Sequence, residues 1–494
     1  MRNRRPALLR GTIGGAPLAA SFGFFLAGIA VAASSIIGLV LGDDLDVGHA
    51  STILVGLAAM AAGGITARLP LPDRISRPMA MAMFVIGWLA LASTAWIAML
   101  LSAEYDGALN AMFESVSAAT TTGFTTIEDP QTLSVTGRLL RVTIPWCAGL
   151  GVLIVGMGVL PAAVAGAELL PMRQLRGGKQ LVTTQTEALR NIVGLYFLLT
   201  LVLTAGYLVA GLGPFDAASY AFSTASTGGM SNHAESLGAF DGALVPLVAS
   251  AGMVAAGANL FVVWWALRGQ FEAVWRSSEL RLYLNVIAFG VIAVFIMGDL
   301  SLSESTFAVT SMLSTTGLRS ANWAADISFV HAVLFVAAGI GAMSGSVGSG
   351  FRLARVARVA LEVGRGLRGL LNPHVVAVVR LDGVAVDEAS LNRTYGYLWM
   401  HAFALGGVAL LLNANGVDIT GTLSASLALV SNLGIFVNGS ELVAVVDWSP
   451  WSRAVAMVAM VLGRLSIYPV LVFIAGVVRT AERIRPHREA GVRG

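Results

Sequence analysis

The sequence is poor in charge and nearly empty of two residue types. Only 12% of its 494 residues are Asp, Glu, Lys or Arg, against about 25% in soluble domains. Lys179 is the only lysine and Cys147 the only cysteine. A single cysteine excludes an intrachain disulfide, and Cys147 lies in an apolar run, so it carries no message about redox compartment. The net charge of +3 is spread over scattered arginines, with no basic arm of the kind that binds nucleic acid. No Walker-type phosphate loop, His-rich metal cluster or nucleophile–base constellation is present. Enzymatic function therefore has no residue support, and no cofactor is implied. His233 and His331 fall at loop edges and read as incidental.

What the sequence has is hydrophobic length. It is 56% hydrophobic with a mean hydropathy of +0.77, the composition of a multi-helix integral membrane protein. Ten candidate spans follow in order: 18–41, 51–69, 80–101, 139–164, 189–209, 244–267, 282–297, 329–342, 395–412 and 454–478. The basic N-terminus MRNRRPALLR precedes a long apolar run without a clear cleavage site, so the first helix is read as retained. Clusters of arginine follow every second span, and the positive-inside rule puts them and both termini in the cytoplasm of a plasma-membrane protein. The opposite side carries mostly acids, among them Asp43, Glu104, Asp106 and Glu128. They read either as loop solvation or as a field that concentrates cations at an outer mouth. Arg138, Arg141, Arg319 and Arg453 are the exceptions there.

Between pairs of spans lie four short stretches rich in hydroxyl residues and glycine. They end in TTTGF (Thr120–Phe124), STGGM (Ser226–Met230), STTGL (Ser314–Leu318) and SNLGI (Ser431–Ile435). Aligned on Gly123, Gly228, Gly317 and Gly434, they recur after 105, 89 and 117 residues. About a dozen small or apolar residues precede each, enough for a helix of roughly 18 Å at 1.5 Å per residue. The expected unit is span, re-entrant half-helix, extended loop, span, repeated four times around one pore. Any single T-x-G string is weak evidence, because such clusters are common turns and helix-packing sites. Four at matching places are far more specific. Extended backbone at membrane depth can replace the hydration shell of a cation with carbonyl oxygens. The residues expected to form that site are Thr121, Thr122, Gly123 and Phe124; Thr227, Gly228 and Gly229; Thr315, Thr316, Gly317 and Leu318; and Asn432, Leu433 and Gly434. A monovalent ion would sit at the carbonyls of Thr122, Thr227, Thr316 and Leu433. No ring of carboxylates lies beside the glycines, which argues against a divalent ion.

Two features suggest gates. Arg464 is the only formal charge deep in an expected span, where an arginine costs on the order of 2.5–3.5 kcal/mol on insertion scales. It reads either as a cap on half-helix carbonyls or as an electrostatic barrier. The stretch GAMSGSVGSG, with Gly341, Ser344, Gly345, Ser346, Gly348, Ser349 and Gly350, cannot easily stay helical and reads as a kink or a movable loop.

ESVSAATTTGFTT (Glu114–Thr126), FSTASTGG (Phe222–Gly229), SGSVGSGFR (Ser344–Arg352) and LGRLSIYPV (Leu462–Val470) resemble stretches of the Trk/Ktr/HKT superfamily of potassium transporters. The two extra leading helices resemble its TrkH-type membrane subunit more than its Ktr relatives. The resemblance covers about Met79 to Val478. It implies an all-α membrane fold of four pseudo-repeats around a central pore plus an N-terminal helix pair. The corresponding divisions are 1–78, 79–180, 181–278, 279–372 with its intramembrane loop, a cytoplasmic hairpin at 373–393, and 394–494. It further implies K+ uptake without ATP chemistry in this chain, a homodimer, contact with membrane lipid and a TrkA-like nucleotide-binding ring as cytoplasmic regulator. Leu318, Met230, Arg319, the SNLGIF loop and Ser466 depart from the family pattern. On the residues alone, an H+- or Na+-coupled transporter and a less selective or non-conducting subunit stay open.

Overall fold

The computed structural model describes residues 15–69, 75–158, 185–320, 328–372, 380–381, 384–386, 388–414, 419–436 and 445–490. The basic residues Arg173, Arg176 and Lys179 and the turn Asp382-Gly383 lie outside them. Among the described residues the fold is helical, save for one small antiparallel hairpin that pairs Arg380 with Ala385 and Leu381 with Val384. Among the described residues, seven helices of 20–26 residues are apolar and long enough to cross a bilayer, as about 20 residues at 1.5 Å each require. They are Ala16–Val40, Val47–Ala67, Arg77–Leu101, Val135–Gly158, Gln185–Val209, Ser278–Met297 and Glu388–Asn413.

The remaining three expected spans are not straight. The run 244–267 is two helices, Leu244–Gly257 and Leu260–Leu267, bent by 112°. The run 454–478 is Pro450–Leu465 and Ile467–Ala490, bent by 108°. In the first, the Asn259 side chain accepts from the Phe261 amide and starts a new helix, as an N-cap does. In the second, Ser466 has φ 63°, which no helix accommodates. Hydropathy runs unbroken across both points, so sequence reading took them for continuous spans. The third, Ser328–Ile340, stops at Gly341, as its glycine-rich continuation suggested.

Four short helices enter between these spans: Gly107–Ala119, Pro214–Ala225, Leu302–Leu313 and Ile419–Val430, of 13, 12, 12 and 12 residues. They are the half-helices that the spacing predicted. Leu302–Leu313 is opened by a capping box between Ser301 and Glu304, and Pro214 pre-sets the first turn of its helix. The leading helices pack on the first repeat through small residues: a Cβ at Gly23 would run into the Gly87 carbonyl and lie 2.9 Å from Ala90 Cβ. Close backbone approach of this kind is how helices adhere in lipid. Helix Pro450–Leu465 packs on the first half-helix and closes the circle from the fourth repeat to the first.

Two of the outer acids have a task other than solvation or attraction of ions. Asp43 accepts from the backbone amides of Val135 and Thr136 at 2.9 and 2.7 Å. Glu104 accepts from the amide and hydroxyl of Ser134 at 2.8 and 2.7 Å. Both carboxylates thus cap the N-terminus of Val135–Gly158, where unpaired amides and the helix dipole favour negative charge. Burial alone would raise the Asp43 pKa; the hydrogen bonds from Thr136 and Val135 outweigh it and hold the carboxyl below its ordinary 3.8. A depressed folded value means that the contribution is complete above the unfolded pKa and lost as pH falls through the folded one. Asp43→Ala should lower the thermal midpoint in detergent at neutral pH, by the equivalent of about 0.5–2 kcal/mol. The gap from wild type should begin to narrow as pH falls below about 4. A gap that persists unchanged at pH 3 would contradict this role.

Candidate functional site: four converging loops

Each half-helix ends in the same unusual backbone turn. Thr121, Thr227, Thr315 and Asn432 have φ of 51°, 52°, 58° and 53°, a left-handed conformation that is a true outlier for β-branched threonine. The next residue's amide reaches back to the helix: Thr122 to Ser117 O, Gly228 to Ser223 O, Thr316 to Ser311 O and Leu433 to Ala428 O, at 2.7–3.0 Å. The following residue is glycine in every case: Gly123, Gly229, Gly317 and Gly434. This fixes the register of the second loop and corrects the sequence alignment by one residue. Gly229, at φ 65°, is the equivalent of Gly123, and Gly228 is the equivalent of Thr122. The carbonyl matching those of Thr122, Thr316 and Leu433 is therefore that of Gly228, not of Thr227. STGGM offers two adjacent glycines, and nothing in its letters says which takes the left-handed position.

The four glycines meet in cyclic order. A Cβ added to Gly123 would lie 2.6 Å from the carbonyl oxygen of Gly228, and one added to Gly229 would run into the carbonyl of Thr316. A Cβ on Gly317 would come within 2.8 Å of the Gly434 nitrogen, and one on Gly434 within 2.6 Å of the Thr122 oxygen. Each loop thus touches the next, and the fourth touches the first. The four glycines line one cavity of about 100 Å³, together with Arg141, His233 and Arg319. Side-chain bonds brace the ring: Asn432 Nδ2 donates to Thr122 Oγ1 at 3.0 Å and to Met460 O at 2.8 Å. The side-chain oxygens of Thr121, Thr227 and Asn432 (Oδ1) are buried without a hydrogen-bond partner among the described residues. The carbonyls of Phe124 and Leu318 already accept the hydroxyls of Ser117 and Ser311, at 2.6 and 2.7 Å. Their side chains pack inward, Phe124 against Phe436 at 5.0 Å.

The two gate candidates are one unit. Arg464 Nη1 donates to Val347 O at 2.9 Å and to Ser349 Oγ at 3.0 Å, so the arginine holds the stretch Gly341–Gly350. The Ser349 amide in turn donates to Thr315 Oγ1 at 2.8 Å, which joins that stretch to the third loop. Asn259, at the bend of its span, donates to Ser344 O at 2.7 Å, and the Ser344 amide donates to Glu279 at 2.7 Å. Gly341 and Gly350 pass so closely that a Cβ on either would lie 2.8–2.9 Å from the other's Cα.

Charges other than Arg464, the one expected deep in a span, are buried as fully. Arg141 and Glu114 are 1% and 0% exposed and face each other at 3.5 Å. The other three outer arginines are also tied down. Arg138 lies over the Phe215 ring at 5.0 Å, Arg319 donates to Ala234 O, and Arg453 to Asn110. The positions of these arginines in the sequence gave no signal of their partners. The register makes a direct prediction. Gly229→Ala should lower the thermal midpoint by the equivalent of at least about 1–2 kcal/mol from handedness alone, with the clash at Thr316 added. Gly228→Ala, whose Cβ would first meet the side chains of Pro145 and Ser226 at a φ outside the left-handed region, should lower it less. The reverse order in detergent melts would contradict the assignment.

The family model TrkH, described as a cation transport protein, matches residues 78–287 and 282–480. The Trk system potassium uptake protein TrkH of Vibrio parahaemolyticus is 26% identical over 406 residues, covering 79% of this chain and 84% of that protein. The Trk system potassium uptake protein TrkG of Escherichia coli is 28% identical over 382 residues, covering 74% and 78%. The crystal structure of the potassium transporter TrkH from Vibrio parahaemolyticus superposes with a TM-score of 0.80 at 23% identity, over 92% of this chain and 98% of that one. The fold is therefore shared, with its pseudo-repeats and leading helices. The chain belongs to the TrkH family of cation transport proteins and is a multi-pass membrane protein.

Proposed function

We propose that this chain takes up K+ across the plasma membrane through a pore whose selectivity filter is the ring of four loops. The observation that carries this reading is the cyclic contact of Gly123, Gly229, Gly317 and Gly434. Four left-handed turns in mutual contact would offer peptide oxygens, not carboxylates, to an ion on their common axis. The matching carbonyls of Thr122, Gly228, Thr316 and Leu433 would replace water around a bare alkali ion. The unpartnered oxygens of Thr121, Thr227 and Asn432 suit a wet or ion-filled path. Relatives bearing the name potassium uptake protein support K+ as the ion. A membrane potential of 100 mV contributes about 2.3 kcal/mol per charge, which drives accumulation without ATP chemistry in this chain.

The stretch Gly341–Gly350 and Arg464 form the gate in this reading. The loop hangs from the third filter loop through Ser349 and Thr315 and is pinned by Arg464. The N-terminal pair, the four repeats and the hairpin keep the boundaries given above, with both termini cytoplasmic. A second copy of the chain and a TrkA-like ring are the partners that the family suggests.

Reconstitution into liposomes with Rb+ and Na+ fluxes measured side by side tests the filter. Wild type should pass Rb+ well above Na+, and Gly123→Ser should raise the Na+ share. Equal fluxes, or no monovalent flux, would overturn the reading. Arg464→Ala should raise flux, and shortening Gly341–Gly350 should raise it too. Because the two are bonded, the combined variant should be no faster than the quicker single one. Unchanged or lower uptake in a well-folded Arg464→Ala protein would count against the gate.

A further inference from the structure

The outer limbs of the first two loops are joined by a buried ion pair that conduction as described leaves without a role. Glu114 Oε1 accepts from the Thr126 amide at 2.6 Å, the Thr125 hydroxyl at 2.6 Å and the Thr126 hydroxyl at 3.3 Å. Its Oε2 faces Arg141 Nε at 3.5 Å. Arg141 then reaches the second loop: Nη1 donates to Ser231 O at 3.1 Å, and Nη2 lies 3.8 Å from Met230 Sδ. Arg141 also lines the outer cavity with the four glycines.

The half-helix position of Glu114, seven residues before Thr121, has a counterpart in the second repeat. Seven residues before Thr227 stands Tyr220. Its hydroxyl bonds to Ser231 Oγ at 2.7 Å and to Ser236 O at 2.9 Å. Glu114 braces the residue eleven places on, and Tyr220 does the same. The third and fourth repeats carry Ala308 and Ala425 there, too short to brace anything. The first two loops are therefore held from behind by polar side chains, and Arg141 fastens them to each other.

Burying two charges is costly, and apolar packing would hold two loops together as well or better. What the pair supplies is direction. A carboxylate that takes three donors from two consecutive residues, opposite a planar guanidinium, fixes positions more narrowly than methyl contacts do. We propose that Glu114 and Arg141 are positioning residues that set the spacing of the first and second loops, and through it the discrimination between K+ and Na+. The proposal rests on the filter reading above.

The test is the Rb+/Na+ flux ratio in liposomes for wild type, Glu114→Gln, Arg141→Met, the double variant, Arg141→Lys and Tyr220→Phe, with Gly123→Ser as filter control. Each of the first two should lower the ratio about tenfold, a coupling usual for contacting residues. The double variant should fall no lower than the worse single one. Arg141→Lys should recover part of the loss, and Tyr220→Phe should lower the ratio less. Misfolded protein lowers both fluxes and leaves their ratio alone, so the ratio reports on conducting molecules. If Glu114→Gln or Arg141→Met passes no ion, Arg141→Lys and Tyr220→Phe decide, and a wild-type ratio in both overturns the proposal. Unchanged ratios in the single variants beside a shifted Gly123→Ser overturn the ion pair and leave the filter standing. An unshifted Gly123→Ser overturns the filter and the pair with it.

Discussion

Irregular backbone inside a bilayer has nowhere to find water, so its amides and carbonyls must be satisfied by protein or by what the protein encloses. Here that constraint acts four times around one ring. Three threonines and an asparagine sit at φ of 51–58°, each at a cost of order 1–3 kcal/mol. Such strain persists only where the surroundings over-determine it. The surroundings here are the glycines of the adjacent loops, each too close to its neighbour to admit a side chain. The ring is therefore a closed structural statement: no loop keeps its shape without the next one.

Other departures from regular helix follow from the same ring. The stretch Gly341–Gly350 attaches to it through Ser349 and Thr315 and must itself be satisfied. Asn259, Glu279 and Arg464 provide partners, and the first and last of these lie at or near a bend of more than 100°. A bent span frees backbone groups just where another non-helical segment needs them. The buried Arg464 finds a carbonyl and a hydroxyl there for its Nη1 in place of water.

Much of this was legible in the sequence. The half-helices were visible because a dozen residues ending in hydroxyls and glycine recur between long apolar runs. Their convergence followed from needing a common partner for exposed backbone. The second loop's register was not legible, since Gly228 and Gly229 have the same side chain and only φ and the bond to Ser223 O distinguish them. The bends at Asn259 and Ser466 were hidden because apolar residues continue on both sides. Asp43 and Glu104 looked like mouth charges because capping an incoming helix leaves no local pattern. Glu114 and Arg141 went unpaired on paper because their proximity depends on how a half-helix and the next span fold back together.

The central claim is that peptide oxygens from four loops coordinate a dehydrated alkali ion. Anomalous diffraction from crystals of this protein grown in Rb+ addresses it most directly. The account predicts a peak on the axis ringed by the carbonyls of Thr122, Gly228, Thr316 and Leu433. A peak held by side-chain carboxylates elsewhere, or an empty ring at saturating Rb+, would contradict it.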